Sequence, residues 1–387
     1  WLKATHRSSQ AFHRTRAQME EAFPLSFGGA VIHRVEETAL PLCPGEFFKT
    51  EAQVAHERAS RSAYGVAAGP PDGRRDSQDG RDVAALVEAV DWLWPHYMDE
   101  EGNLNLRVQM FIIETPSGKR IAVDTCIGND KNLGEDRMGH MRSGPFLEKL
   151  REAGCPPESI DFVLCTHLHF DHVGFNTVKV DGAWTPTFPN AKYLFGKVEW
   201  ESFQQDLSSG GDASFQNIAS MFEESVRPIM DAGLMELVDA PCVVVEEAGA
   251  RISLKPTPGH TPGHVSVVVE SLGLTAVITG DCMHHPVQMA HTSLGTFYDS
   301  CSAEAADTRE WLLKDAAERR VLIIGTHFAS PSAGYVEKDV TAGRRYRLLP
   351  LTCQACLGTA GACEAAAPKR SASPDTAEAK KGRVGGS

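Results

Sequence analysis

Four side chains able to hold a metal ion fall between positions 167 and 172 of the run Thr166-His167-Leu168-His169-Phe170-Asp171-His172. Residues two apart on an extended chain point the same way, so His167 and His169 can grip one cation. Asp171 and His172, on the turn that follows, face a second position close by. Neutral imidazoles with a carboxylate are what a borderline cation such as zinc takes as ligands. Structural zinc sites are usually closed and rich in cysteine, whereas a His/Asp cluster running into Gly174 and Asn176 suits open, catalytic coordination.

Such a cluster needs rigid elements to present it. Ile160 to Cys165 is a short apolar run that reads as a buried strand delivering the histidines at its end. The same pattern of strand, glycine and metal-competent residue recurs twice: Leu274 to Thr279 ends in Gly280-Asp281, and Val321 to Ile324 ends in Gly325-Thr326-His327. His260 lies in Pro256-Thr257-Pro258-Gly259-His260-Thr261-Pro262-Gly263, a loop stiffened by prolines and glycines. Strands are expected at 251–255 and 264–270 on either side of it. Earlier strands are expected at 28–40, with a bend around Pro41 and Pro44, and in a hairpin formed by 107–114 and 119–125. The second hairpin strand places Asp124 at its end. A further strand is expected at 192–195. Helices are expected at 83–94, from Ser143-Gly144-Pro145 to Ala153, near 198–205, at 218–232 and at 303–320.

The chain has 387 residues, 42% hydrophobic and 23% charged, enough to bury a large core. A formal charge of −13 argues against nucleic-acid backbones and anionic membranes as partners, and no apolar run reaches membrane-spanning length. Ten cysteines without a regular framework fit reduced thiols in a cytoplasmic compartment. The first residue is Trp1, and residues 1–19 carry Lys3, Arg7, Arg14 and Arg16 with no acid, like the tail of an organelle transit peptide or a basic arm. The expected organisation is an N-terminal arm over 1–27, one domain over 28–350 with a solvated Gly/Pro/Ser/Asp/Arg insertion at about 60–81, and a disordered tail over 351–387. Cys353 and Cys356 form one C-x-x-C near Cys363, without the second pair that a zinc ribbon requires.

Taken together, His167, His169, Asp171, His172, His260, Asp281 and His327 resemble the motifs of the metallo-β-lactamase superfamily: H-x-H-x-D-H, a P-G-H-T loop, a strand-terminal Asp and a late His. The resemblance runs from about 105 to 330, with Val123-Asp124-Thr125 matching an early family strand. It is nearest to the branch of N-acyl homoserine lactonases and methyl parathion hydrolase. It implies an αββα sandwich of two mixed β-sheets flanked by helices, with two divalent metal ions, zinc by preference, at one edge. His167, His169 and His260 would hold the first ion, Asp171, His172 and His327 the second, and Asp281 would bridge them. A metal-bridging hydroxide would then attack an ester, lactone or phosphotriester of a small-molecule substrate, with Asp171 shuttling the proton. A homodimer is compatible with the family.

His284 stands three residues after Asp281, where the lactonases carry tyrosine, and an imidazole there can polarise a carbonyl or phosphoryl oxygen or simply pack. His264 and Asp124 are expected to support the ligands from behind, and Cys126 to be a small buried residue. Phe170, Phe175, Trp184 and Phe188 are either core or the wall of an apolar pocket. Two other functions share this residue set. A redox enzyme on the same fold, of flavodiiron or persulfide dioxygenase type, would use related ligands. A metal-depleted, non-catalytic binding module would have lost some, and all seven are present.

Overall fold

The computed structural model describes residues 23–60, 77–135, 139–208, 217–353 and 357. The expectations for residues 1–22, for the centre of the insertion, for Cys356 and Cys363 and for the tail beyond 357 fall outside these. The first half of the chain forms β1 (Leu25–Phe27), β2 (Ala30–Leu42), α1 (Pro44–Phe47), α2 (Glu51–Ser60), α3 (Gln78–Glu88), β3 (Leu104–Glu114) and β4 (Arg120–Val123). It continues through α4 (Phe146–Glu152), β5 (Phe162–Cys165), α5 (Phe170–Val173), the hairpin β6 (Thr177–Val180) and β7 (Ala183–Pro186), then β8 (Lys192–Gly196) and α6 (Lys197–Ser208). Helices α7 (Ile218–Met221) and α8 (Arg227–Asp231) lead to β9 (Met235–Val238). The second half forms β10 (Cys242–Glu247), β11 (Ala250–Pro256), β12 (Val265–Ser271), β13 (Leu274–Ile278), α9 (Val287–Ala290), α10 (Ser302–Arg319), β14 (Leu322–Ile324), β15 (Ala333–Lys338) and β16 (Tyr346–Pro350).

Each half builds its own mixed sheet. The first runs in the order β1-β2-β3-β4-β5-β8-β9, antiparallel from β1 to β4 and parallel from β4 to β9. The second runs from β10 to β16 in sequence order, antiparallel except for the β13–β14 pair. The sheets pack face to face through Ile32, Phe111, Ile113 and Leu164 of one and Ile252, Val267, Ile278 and Ile324 of the other. The outer face of the first sheet is covered by α4, α6, α7 and α8, and that of the second by α1, α3, α9 and α10. Two apolar outer faces and one shared inner face require four layers, helix-sheet-sheet-helix.

Several local expectations are corrected. No bend interrupts β2 at Pro41, which pairs with Asn105 of β3. Strand β1 covers only Ala30–Ile32 on the other side, so Pro41 is at a free edge where its missing N–H costs nothing. The helix expected at 83–94 begins at Gln78, capped by Ser77 Oγ accepting the Gly80 N–H at 3.0 Å, and stops at Glu88. The Trp94-Pro95 step disfavours helical backbone just beyond the 3-10 turn Asp91–Leu93. The ends assigned to the 60–81 insertion are therefore helical. The 218–232 helix is broken by a π turn at Phe222–Val226, and Pro228, unable to donate an N–H, opens α8. Leu351, assigned to the tail, is buried and donates its N–H to Ala333 O.

Candidate metal centre

The chemistry-bearing residues all lie on one rim of the sandwich, at strand ends. His167 and His169 follow β5, and α5 starts at once so that Asp171 and His172 turn back toward them. Gly174 lets this turn sit against the chain after β4, because a Cβ there would fall 1.7 Å from Ile127 O. His260 follows β11, Asp281 follows β13 and His327 follows β14. Gly280 takes a left-handed φ of +55° beside His264, which swings Asp281 inward.

The side chains converge in two groups, His167 with His169, His260 and Asp281, and Asp171 with His172 and His327, the offered ligand atoms within each group lying within 4.8 Å of one another. Asp281 reaches both. Its Oδ2 is 3.3 Å from His260 Nε2 and 3.7 Å from His167 Nε2, and it is also 3.2 Å from His172 Nε2, while Oδ1 is 3.0 Å from His327 Nε2. His169 Nδ1 stands 2.9 Å from His260 Nε2, and His172 Nε2 3.2 Å from His327 Nε2. Imidazole nitrogens brought together this way share either a ring proton or a cation. His167 Nε2, wholly buried, has no hydrogen-bond partner. These observations fit a pair of cations, with a donor set of imidazole and carboxylate suited to zinc.

The electrostatics divide the histidines into two sets, His167 and His169 held neutral and His172 and His327 drawn toward the protonated form. Burial, reinforced by neighbouring imidazoles, holds the pKa of His167 and His169 well below the ordinary histidine value, so both remain neutral donors. Burial would lower His172 too, but the carboxylates of Asp281, Asp124 and Asp171 outweigh it and raise its pKa well above normal. Burial disfavours charge on Asp281, yet His172, His327 and His284 hold its pKa well below the carboxylate range. A buried, carboxylate-rich centre of this kind draws in positive charge.

A second layer of polar groups aims these ligands. Asp124 accepts the Thr166 N–H at 2.8 Å and lies 3.0 Å from His172 Nδ1. His327 Nδ1 donates to Arg107 O at 2.7 Å. His264 Nε2 accepts the Asp281 N–H at 2.8 Å, so this histidine holds the Asp281 turn from behind. His284 Nε2 is 3.2 Å from Asp281 Oδ2, its ring stacked on His327 and edge-on to Phe47, while its buried Nδ1 has no partner. Cys126 is fully buried at φ +58°, a left-handed position. Phe175 and Phe188 are core, Phe175 stacking on Phe146, and Trp184 lies against Lys131, so these three pack rather than wall the site. Phe170 is half-buried beside His169 and Asp171, the two residues of the cluster most open to solvent.

Two supporting carboxylates had no signature in the sequence. Glu199, in the first turn of α6, accepts from Leu168 N, Thr261 Oγ1 and Gly263 N, tying the two histidine loops together. Asp299 lies 3.0 Å from His260 Nδ1. Each is a single acid in an ordinary helix or loop, recognisable only once the histidine it serves is located in space.

Residues 105–327 match the Metallo-beta-lactamase superfamily, and the chain belongs to it. Among curated proteins it is similar to an N-acyl homoserine lactonase of Bacillus cereus, 29% identical over 185 residues, covering 44% of this chain and 61% of that one. It is also similar to the N-acyl homoserine lactonase AttM of Rhizobium radiobacter, 27% identical over 175 residues, covering 42% of this chain and 59% of that one. The chain thus spans about three-fifths of the length of these relatives. Two solved structures share the fold with a TM-score of 0.60 over 84% of this chain and 96% of theirs. They are the beta-lactamase-superfamily hydrolase AbOPH, 20% identical, and the dizinc quorum-quenching lactonase AidC, 16% identical.

Proposed function

We propose that this protein is a dinuclear metal-dependent hydrolase that opens lactones, with related esters and phosphotriesters as further substrates. The observation that carries the reading is Asp281, one carboxylate within 3.7 Å of imidazole nitrogens from both ligand groups. His167, His169 and His260 would hold one ion and Asp171, His172 and His327 the other, with Asp281 shared. A pair of divalent ions supplies Lewis acidity and water activated near neutral pH.

The chain's own residues then do the rest. Asp171, on the open side and 3.6 Å from His327 Nε2, is placed to take the proton released by the attacking water and return it to the leaving oxygen. His284 is assigned to the carbonyl or phosphoryl oxygen, because its Nε2 faces the same centre as the ligand nitrogens. The named activity of the Bacillus and Rhizobium relatives supports a small-molecule lactone as substrate. Eight free cysteines among the described residues support a cytoplasmic location, and no helix among those residues is long and apolar enough to cross a membrane.

Elemental analysis combined with an assay panel of lactones, aryl esters and phosphotriesters tests this. About two divalent ions per chain are expected, with ring-opening lost on chelation and regained with zinc. An active preparation that holds one ion, or that ignores the chelator, would refute the dinuclear reading.

A further inference from the structure

We infer that Asp299 is a positioning residue for His260, keeping the imidazole proton on Nδ1 so that Nε2 is the atom offered to the centre. This rests on the reading of His260 as a ligand of the first ion. His260 Nδ1 lies 3.0 Å from Asp299 Oδ1, and the other oxygen, Oδ2, accepts the Thr296 N–H at 2.7 Å. Both residues are about 1% exposed, so water cannot replace either partner. The main chain is tied to the same loop, since Ser300 N–H donates to His260 O at 2.8 Å.

The loop itself is fixed by a buried cation. Arg309 of α10 is fully enclosed, and its guanidinium donates to the carbonyls of Thr292 at 3.1 Å, Leu294 at 2.8 Å and Cys282 at 3.2 Å. Cys282 directly follows Asp281. One side chain therefore locks the turn carrying the shared carboxylate to the loop carrying Asp299. Asp299 offers only acceptors, so it favours the proton on Nδ1; with a cation rather than a proton between Nε2 and Asp281, which lie 3.3 Å apart, Nε2 is left bare as the ligand atom.

An Asn at 299 has one acceptor for two donors. If Thr296 keeps it, the amide N–H faces His260 Nδ1, drives the ring proton to Nε2 and blocks the ligand position. Chelator-stripped protein titrated with zinc against a chromophoric competitor reads this without any assay of turnover. Asp299→Asn should weaken one of the two binding steps by on the order of 10–100-fold and leave the other at its wild-type value. His260→Ala should abolish that same step. Should His260→Ala leave both steps intact, the ligand reading itself fails. A His260→Ala that loses a step beside an Asp299→Asn that loses none, or that weakens both equally, overturns the positioning role alone. In zinc-loaded wild type, nitrogen-15 histidine NMR should find the His260 proton on Nδ1, and a proton on Nε2 would overturn the inference even if the Asn variant does not fold.

Discussion

The proposed function makes His284 the residue whose substitution tests substrate choice. Its ring is held between His327, stacked at 5.8 Å, and Phe47, edge-on at 5.3 Å, and burial holds its pKa below the ordinary value. A neutral imidazole donates from one nitrogen only, and Nε2 is the one that faces the centre, so the ring donates there only with its proton on Nε2. Loss of a donor to a developing oxyanion costs on the order of 10²–10³ in turnover. His284→Ala should therefore keep both ions and lose most activity on its best substrate, and His284→Tyr should move preference toward lactones. Wild-type kcat in His284→Ala on every active substrate would reduce the ring to packing. At this scale the seven ligand-type residues were legible because metal chemistry demands particular side chains at short, recurrent spacings. Asp299 and Glu199 were not, because support comes through space from positions 39 and 62 residues away from the partners His260 and Thr261.

Among the elements, strands ending in ligands were legible, since a β-branched run that stops at glycine and a metal-competent residue announces both its period and its end. The short hairpin β6–β7 was not: its strands are four residues each, its outer residues are exposed, and burial does not alternate along either strand. It is held instead by Lys131, from the segment after β4. The Lys131 ammonium lies 3.6 Å from the centre of the Trp184 ring and donates to Thr177 Oγ1 at 2.6 Å and Glu224 O at 3.0 Å. Burial pushes the Lys131 pKa down to about 7, with Lys179 adding to the effect and Glu224 and Asp130 opposing it. The folded-state value is thus below the unfolded one near 10.5. Between these limits the unfolded chain binds a proton that the folded one has shed, so stability rises with pH across the window. It is fully present above 10.5 and lost as pH falls through 7. The slope reaches at most about 1.4 kcal/mol per pH unit. Urea melts at pH 7.5 and 9.5 should show the wild type gaining stability relative to Lys131→Met. Parallel curves for the two proteins would mean that Lys131 stays charged against Trp184 throughout.

At the scale of the whole molecule, the two sheets come from consecutive halves of the chain, 25–238 and 242–350, and meet through an apolar interface that ends at the ligand rim. The four-layer plan followed from motif resemblance. The edge strands β9, β10 and β16, and β15 beside the last, did not, because a sheet edge is set by which strands find partners rather than by local pattern. The candidate ligands divide the same way: His167, His169, Asp171 and His172 leave the first sheet, and His260, Asp281 and His327 leave the second. Ions held by both sets would clamp one sheet to the other at the rim, where apolar packing gives way to polar groups. A ligand at a thousand times its dissociation constant stabilises the folded state by about 4 kcal/mol, and two such ions should raise the melting temperature by on the order of 10 °C. Chelation should therefore lower the melting temperature reversibly, with zinc restoring it. Asp281→Ala, which removes the one carboxylate that reaches both clusters of imidazoles, should melt near the chelated wild type and respond little to further chelator. A wild type that melts at the same temperature with and without chelator would show that the rim is held by the protein alone, and that the ligands are not joined across the two sheets by metal.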